Sequence, residues 1–297
     1  MTPIFGPMRP PFLILTPACV ALGAAVSYRS GGGLDPLQVV LVLVGALAAH
    51  IAVNALNEYV DFRTGLDTHT RRTPFSGGSG TLPLYPQLAP ATLAIGLVAA
   101  ALVLSIGVYF IAERGLAILP VGVLGVVLML IYTPWLTRRP WLCLIAPGLG
   151  FGPCMVVGTE VALTGHASAA GWIASLVPLF LVSNLLLLNQ FPDVEADRAV
   201  GRKNVPIVLG LDGGARTYQI FFLLANLALV GVVVAGLLPP LSWLGFAGLS
   251  AAVPVFQRLG RTRGALGELL LSSLALNVAA SVATPLLVAI GVFIAPK

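Results

Sequence analysis

An all-helical bundle that crosses a membrane many times is the fold this sequence predicts, and three observations predict it. Of 297 residues, 58% are hydrophobic and only 9% are charged, with a mean hydropathy of +0.97; a soluble domain carries roughly 25% charged residues. The apolar residues fall in runs of about 18–25, the length a helix needs to cross a bilayer. Those runs lack a period-2 alternation, so helices rather than a closed barrel satisfy the backbone in lipid.

Nine segments are expected to cross, around a central cavity open to lipid, and residues 1–297 are expected to form one transmembrane domain. The first, 11–28, follows a single basic residue, Arg9, and is interrupted by Pro17. A retained helix is therefore expected there rather than a cleaved leader. The second, 36–60, ends in a polar cluster and is followed by a long connection, 64–88. The third and fourth are 89–112 and 116–133, the fourth being the shortest. The fifth is 142–163; the sixth, 170–191, ends in a second polar cluster and a connection over 193–214. The seventh, eighth and ninth are 215–237, 240–257 and 268–294, the last long enough to tilt or to break at Pro285. Cys19, Cys143 and Cys154 lie in apolar segments, form no CxxC pair and read as small packing residues.

The net charge is +5, and its placement rather than its size is informative. With nine crossings and the N-terminus inside, every Lys and Arg except Arg29, Arg114 and Lys297 falls in an inside loop. That is the positive-inside pattern of a multi-pass inner-membrane protein with a cytoplasmic N-terminus, not a nucleic-acid surface.

Two polar stretches interrupt the oil: Asn54-Ala-Leu-Asn57-Glu-Tyr-Val-Asp61, continuing to Asp67, and Asn189-Gln-Phe-Pro-Asp193-Val-Glu-Ala-Asp197. At 100° per residue, Asn54, Asn57 and Asp61 fall within about 60° of one helix face, and Asn189, Asp193 and Asp197 within about 80° of another. Glu195 points away from the second arc, and Glu58 sits at the fringe of the first. Carboxylates this close to lipid are costly and mark a functional site. The segments that carry them are separated by an even number of crossings, so both clusters are expected at the cytoplasmic face. Pro192 is expected to break the helix just before Asp193.

Oxygen-only clusters without His or Cys suit Mg²⁺ better than zinc or iron. Arg71, Arg72, Arg202 and Lys203 follow the clusters and would supply charge-assisted hydrogen bonds to phosphate oxygens. The run Ser76-Gly-Gly-Ser-Gly80 reads either as a flexible lid or as a nest of backbone amides for phosphate, against the plain reading of a flexible loop. His50, His69 and His166 form no pair or triad, so neither a zinc site nor a proton relay is expected.

These residues resemble the UbiA superfamily of intramembrane aromatic prenyltransferases. The resemblance rests on Asn54, Asn57, Asp61 and Asp67 as a first Asp-rich motif and on Asn189, Asp193 and Asp197 as a second. It extends to the run 72–80, to Tyr132-Thr-Pro134 and to Gly201-Arg-Lys ending at Val208-Leu-Gly210. It implies Mg²⁺ held by Asp61, Asp67, Asp193 and Asp197, with Asn57 and Asn189 as neutral oxygen ligands or substrate contacts. It also implies transfer from a polyprenyl diphosphate to a small aromatic acceptor, with Asn54, Arg71, Arg72, Arg202, Lys203 and Tyr132 touching substrate. An allylic cation would lie against Tyr59 or Tyr132. The first motif looks most like the 1,4-dihydroxy-2-naphthoate branch of menaquinone synthesis. A 4-hydroxybenzoate enzyme of ubiquinone synthesis is second, a membrane terpene cyclase third, and a secondary transporter the alternative from another class. Glu58 stands where many members have Asp, and Pro192 where many have a basic residue.

Overall fold

A computed structural model describes residues 3–66 and 78–296, and among these no strand occurs. In chain order the helices are α1 (Leu15–Arg29), α2 (Pro36–Arg63), the short α3 (Thr81–Leu84), α4 (Ala89–Arg114), α5 (Leu119–Ile131), α6 (Pro140–Leu149), α7 (Gly158–Thr164) and α8 (Ala169–Gln190). Then come α9 (Val194–Ala199), α10 (Val205–Val234), α11 (Gly245–Ser250), α12 (Val253–Thr262) and α13 (Leu270–Ile294).

Local chemistry starts the long helices where they start. Asp35 caps α2, accepting from the backbone N–H of Leu37 at 2.8 Å and Gln38 at 3.2 Å, with Pro36 in the first turn. Ser168 caps α8 by accepting from Gly171 N at 3.0 Å, and Asn204 caps α10 by accepting from Ile207 N at 3.0 Å. A π-helical stretch, Gly150–Val157, joins α6 to α7 so that Pro140–Thr164 runs as one helix. Pro153 lies inside it; a proline lacks the N–H and crowds the turn before it, which fits a widened turn at this point.

The nine expected crossings do not appear as nine separate continuous helices. Among the described residues six helical stretches are long and apolar enough to cross, and seven if the bent pair Pro3–Phe12 and Leu15–Arg29 counts as one. Three departures account for the difference. The first segment is bent by 44° ahead of α1. The third and fourth merge into a helical stretch of 46 residues, Pro86–Ile131. At 1.5 Å per residue that is about 69 Å, twice a bilayer core of about 30 Å. Gly115 (φ +71°) interrupts it, and Ala99, Ala100 and Val103 of α4 share a cluster with Val126 and Met129 of α5. Both sets pack in one cluster with Ala48 and Ala52 of α2, so the chain turns back at Gly115. The eighth segment is broken into a 3₁₀ turn (Pro240–Leu244), α11 and α12. The ninth runs through Pro285 unbroken. The chain is a multi-pass membrane protein.

The largest core joins α1, the α6–α7 run, α8, α10, α11 and α13, with Leu22, Leu144, Leu181, Leu187, Leu229 and Leu274 fully buried. Lipid tails are as apolar as leucine, so close approach and polar ties must hold such helices together. Gly148 and Gly152 allow the approach: a Cβ at either would lie 2.3 Å from Leu179 O or 2.4 Å from Ser175 O on α8. Tyr218 donates to Asn277 Oδ1 at 2.7 Å, and Asn184 donates to Tyr218 O at 3.0 Å, tying α8, α10 and α13. The cavity lies on the other side of α8, between α2, α4, α5 and the α6–α7 run.

Candidate active site

The cavity holds about 690 Å³. Its walls are apolar over most of their length, for example Ala46 of α2, Val108 of α4, Val126 of α5, Phe151 of the π stretch and Leu186 of α8. Most of its polar groups come from the C-terminal ends of α2 and α8 and the segment after α8. They include Asn54, Asn57, Asp61, Asn189, Asp193, Asp197, Arg202 and Asn204, joined by Arg9 and Tyr132. The two expected clusters therefore share one chamber. Asp67, Arg71, Arg72 and most of the 72–80 run lie outside the described residues.

The first cluster is held by α2. Asn57 donates from Nδ2 to Asp61 Oδ2 at 2.9 Å, and its Oδ1 accepts from Thr133 Oγ1 at 2.8 Å. Its oxygen thus already has one partner. Asn54 donates to Met8 O at 3.1 Å, tying α2 to the N-terminal 3₁₀ turns. Glu58, fully buried, accepts from Ser79 N at 2.9 Å and from Ser79 Oγ, and lies 3.6 Å from the Arg9 guanidinium. Ser79 of the glycine-rich run is thereby fixed to α2.

The second cluster is not on one continuous helix. α8 ends at Gln190, residues 191–193 turn, and α9 begins at Val194. The break falls at Pro192 as expected, but it replaces the expected helical phase with a corner. Asp193 and Asp197 line the cavity from either side of that corner, whereas Glu195 is exposed and paired with Arg198 at 3.2 Å. Gly201 (φ +76°) reverses the chain after α9, a conformation glycine takes without Cβ strain. The backbone N–H of Arg202 then donates to Asp197 O at 2.9 Å, and its side chain turns back into the chamber.

Arg202 bridges the clusters. It pairs with Asp61 through Nη2 and with Asp197 Oδ1 through Nη1 at 3.2 Å, while Asn204 donates to Asp197 Oδ2 at 2.7 Å. Burial alone would lower the guanidinium pKa, but Asp61 and Asp197 outweigh it and hold it above its ordinary value. Burial, reinforced by Asp197, pushes the Asp193 carboxyl up to about 7 against the opposing pull of Arg202 and Arg9. Burial likewise raises Asp197, with Arg202 opposing it. Among the described residues no three His, Cys, Asp or Glu side chains are grouped closely enough to hold a metal; a guanidinium stands between the two carboxylates that face each other. Asp193 Oδ1 and Asn189 Oδ1 are buried without a hydrogen-bond partner. Buried oxygens that lack a donor, next to carboxylates, make a hard-oxygen set that fits Mg²⁺.

The sequence profile of the UbiA prenyltransferase family matches residues 15–266. The chain belongs to that family. It is 28% identical over 226 residues to a 1,4-dihydroxy-2-naphthoate octaprenyltransferase of Bacillus subtilis (strain 168), covering 75% of this chain and 70% of that protein. A 53-residue stretch is 53% identical to UbiA prenyltransferase domain-containing protein 1 of Homo sapiens, covering 18% of this chain and 15% of that one. Its fold is that of a UbiA homolog from Aeropyrum pernix K1 solved without ligand, with a TM-score of 0.71 at 16% identity over 95% of this chain and 97% of that one. A UbiA homolog from Archaeoglobus fulgidus, solved bound to GPP and Mg²⁺, matches with a TM-score of 0.63 at 14% identity over 97% and 99% of the two chains.

Other expected site residues are placed differently within this UbiA fold. Lys203 is exposed and does not line the cavity; its backbone N–H donates to Thr137 O at 3.1 Å. Tyr59 does not line it either, so of the two tyrosines only Tyr132 faces the chamber, its hydroxyl 3.9 Å from Cys143 Sγ. Sequence reasoning missed Arg9, Thr133 and Asn204 as chamber residues or supports. By sequence Arg9 is only a positive-inside charge, and Thr133 is one member of the Tyr132-Thr-Pro134 element. Asn204 carries a usable signal, an Asn directly before a new apolar helix and just after the basic pair.

Proposed function

We propose that this chain transfers a polyprenyl group from its diphosphate to 1,4-dihydroxy-2-naphthoate, at a site facing the cytoplasm in the inner membrane. The observation that carries the proposal is the chamber itself. Two Asn/Asp clusters and two guanidinium groups stand at one end of a long apolar cavity, in a chain of the prenyltransferase family. The naphthoate acceptor is supported by the first-motif pattern and by the name of the Bacillus relative. The orientation is supported by the placement of Lys and Arg.

Asp61, Asp193 and Asp197 would hold Mg²⁺, together with Asp67, whose role rests on the sequence alone, and with Asn189 as a neutral oxygen ligand. When bound, Mg²⁺ supplies Lewis-acid neutralisation of the leaving diphosphate. Arg202 and Arg9 donate to diphosphate oxygens as negative charge develops there, with Arg71 and Arg72 proposed alongside them from sequence. Asn57, fixed by Thr133, orients Asp61. The apolar walls take the prenyl chain and exclude water, so the allylic carbon meets the acceptor ring rather than a hydroxyl. Tyr132 offers its face to the cation. The C–O bond breaks with its electron pair going to the diphosphate, a C–C bond to the ring forms, and the attacked ring carbon gives up its proton to a diphosphate oxygen as the ring regains its aromaticity.

Expression in a bacterial strain lacking its dihydroxynaphthoate prenyltransferase tests the acceptor. Menaquinone is expected to return there, and ubiquinone is not expected to return in a strain lacking its hydroxybenzoate prenyltransferase. The opposite pattern would move the acceptor to hydroxybenzoate. Rescue of neither strain, with a cyclised terpene accumulating, would replace transfer by cyclisation.

A further inference from the structure

The carboxylates that face each other in the chamber have a partner on every oxygen. Asp61 Oδ1 is taken by Arg202 and Oδ2 by Asn57; Asp197 Oδ1 is taken by Arg202 and Oδ2 by Asn204. One side chain therefore pairs with a carboxylate of each motif at once. The planar fork of Arg is what allows it, since a guanidinium presents N–H groups to two carboxylates in fixed geometry and an ammonium does not. The side chain is mostly buried, with 21% exposure, so the bridge is little screened by water.

We infer that Arg202 is an internal counter-ion that substitutes for the metal in the substrate-free site, and that its exchange couples metal binding to diphosphate binding. This rests on the metal-assisted reading above and goes beyond it. A divalent cation that arrives alone must take Asp61 and Asp197 from Arg202, leaving a guanidinium in a chamber whose other described lining carboxylate, Asp193, is itself a proposed metal ligand. That cost opposes binding of the metal alone. A diphosphate entering with the metal provides the missing anion, because its oxygens accept the N–H groups that the carboxylates give up. Each ligand thus raises the affinity of the other, and by reciprocity the factor is the same in both directions. Arg202 is a positioning residue in this role: it sets when the carboxylates become available. Asn57 and Asn204 stay on the outer oxygens and hold the carboxylates in place through the exchange.

The test is a titration of purified, detergent-solubilised protein with Mn²⁺ alone, following the free ion by electron paramagnetic resonance. Wild type, Arg202→Gln and Arg202→Lys are compared. Melting temperatures with Mg²⁺, with inorganic pyrophosphate and with both are measured alongside. Wild type is expected to bind Mn²⁺ alone weakly. Arg202→Gln should bind it at least tenfold more tightly, with Arg202→Lys between them because it keeps the charge and loses the bridge. Mg²⁺ alone should raise the melting temperature of Arg202→Gln but not of wild type, which should respond only to Mg²⁺ with pyrophosphate. Equal Mn²⁺ affinity in wild type and Arg202→Gln would overturn the exchange and leave the metal reading standing. Arg202→Lys matching wild type would also overturn it, by showing that charge and not the bridge is responsible. If no protein takes metal, with or without pyrophosphate, the metal reading fails and the exchange fails with it. Should Arg202→Gln not fold, the Lys variant carries the comparison with wild type alone.

Discussion

Asp61 and Asp193 belong to different segments of the chain, yet both are proposed to hold one ion, so each should matter by itself. Asp61→Asn and Asp193→Asn keep the shape and remove the charge, and each is expected to cut turnover by about a hundredfold or more, as when a group that stabilises transition-state charge is lost. Glu195→Gln should leave turnover near wild type, because Glu195 is exposed and paired with Arg198 outside the chamber. Equal damage from Glu195→Gln in a steady-state assay would reassign the second cluster. Asp193 also carries a pH signature. Its carboxyl stands at about 7 in the folded chain against an ordinary value of 3.8. The folded state therefore binds the proton more tightly than the unfolded one. The stabilisation is complete below about 3.8 and is lost as pH rises through about 7. Metal-free wild type should thus lose more melting temperature between pH 5 and pH 8 than Asp193→Asn does, and parallel slopes would contradict the burial assigned to this group. These carboxylates are legible in the sequence because an acid at the end of an apolar run is too costly near lipid to stand there without a role. Thr133 and Arg9 are not legible in the same way. Their roles arise from contacts with Asn57 and Glu58, far away in sequence, and neither residue type is unusual where it stands.

Helices in this chain meet where side chains are absent, and the glycines of the α6–α7 run show it. Gly148→Val would drive its side chain into Leu179 O and Ser183 Oγ of α8, both 2.3 Å from a Cβ at 148. Overpacking of this kind costs about 1–3 kcal/mol, and the collision here includes backbone. The expected result is a marked fall in detergent melting temperature. Gly231→Ala in α10 meets nothing within 4 Å and should be neutral or stabilising, since alanine favours a helix over glycine by about 1 kcal/mol. Equal losses from both would mean that α6 and α8 do not approach as described. Hydropathy locates most of the elements because length and oiliness are what lipid demands. It does not show that 240–262 runs beside α13 as a 3₁₀ turn and two short helices rather than as one helix: Gly291 packs on Leu241, Gly248 on Thr284, and Arg258 donates to Ser273 Oγ at 3.1 Å. A continuous 100° period also fails at the corner between α8 and α9, because the helix does not carry across Pro192. Prolines mark possible breaks without saying which ones are used: Pro192 lies at a break and Pro285 lies inside an unbroken helix.

Across the whole molecule, a cavity of about 690 Å³ has its charged groups gathered at one end, and the packed core lies on the far side of α8. That division lets one half provide rigidity while the other leaves space for a chain-like substrate. The paired clusters are legible as a single site because both follow crossings expected to end on the same face. Their link through Arg202 is not, because a basic residue after a crossing is equally an orientation signal. A site built on carboxylates, with no His or Cys needed, should depend wholly on its ion. Membranes treated with excess chelator should lose product formation and regain it when Mg²⁺ is added back. The most direct measurement is mass spectrometry of the products made by the purified chain from a polyprenyl diphosphate, 1,4-dihydroxy-2-naphthoate and Mg²⁺, with pyrophosphate counted in parallel. Prenyl transfer predicts a lipid that carries both the prenyl chain and the naphthalene ring, one pyrophosphate per lipid, and neither in Asp61→Asn. Pyrophosphate release with no ring-bearing lipid, or the same lipid made by Asp61→Asn at the wild-type rate, would contradict it.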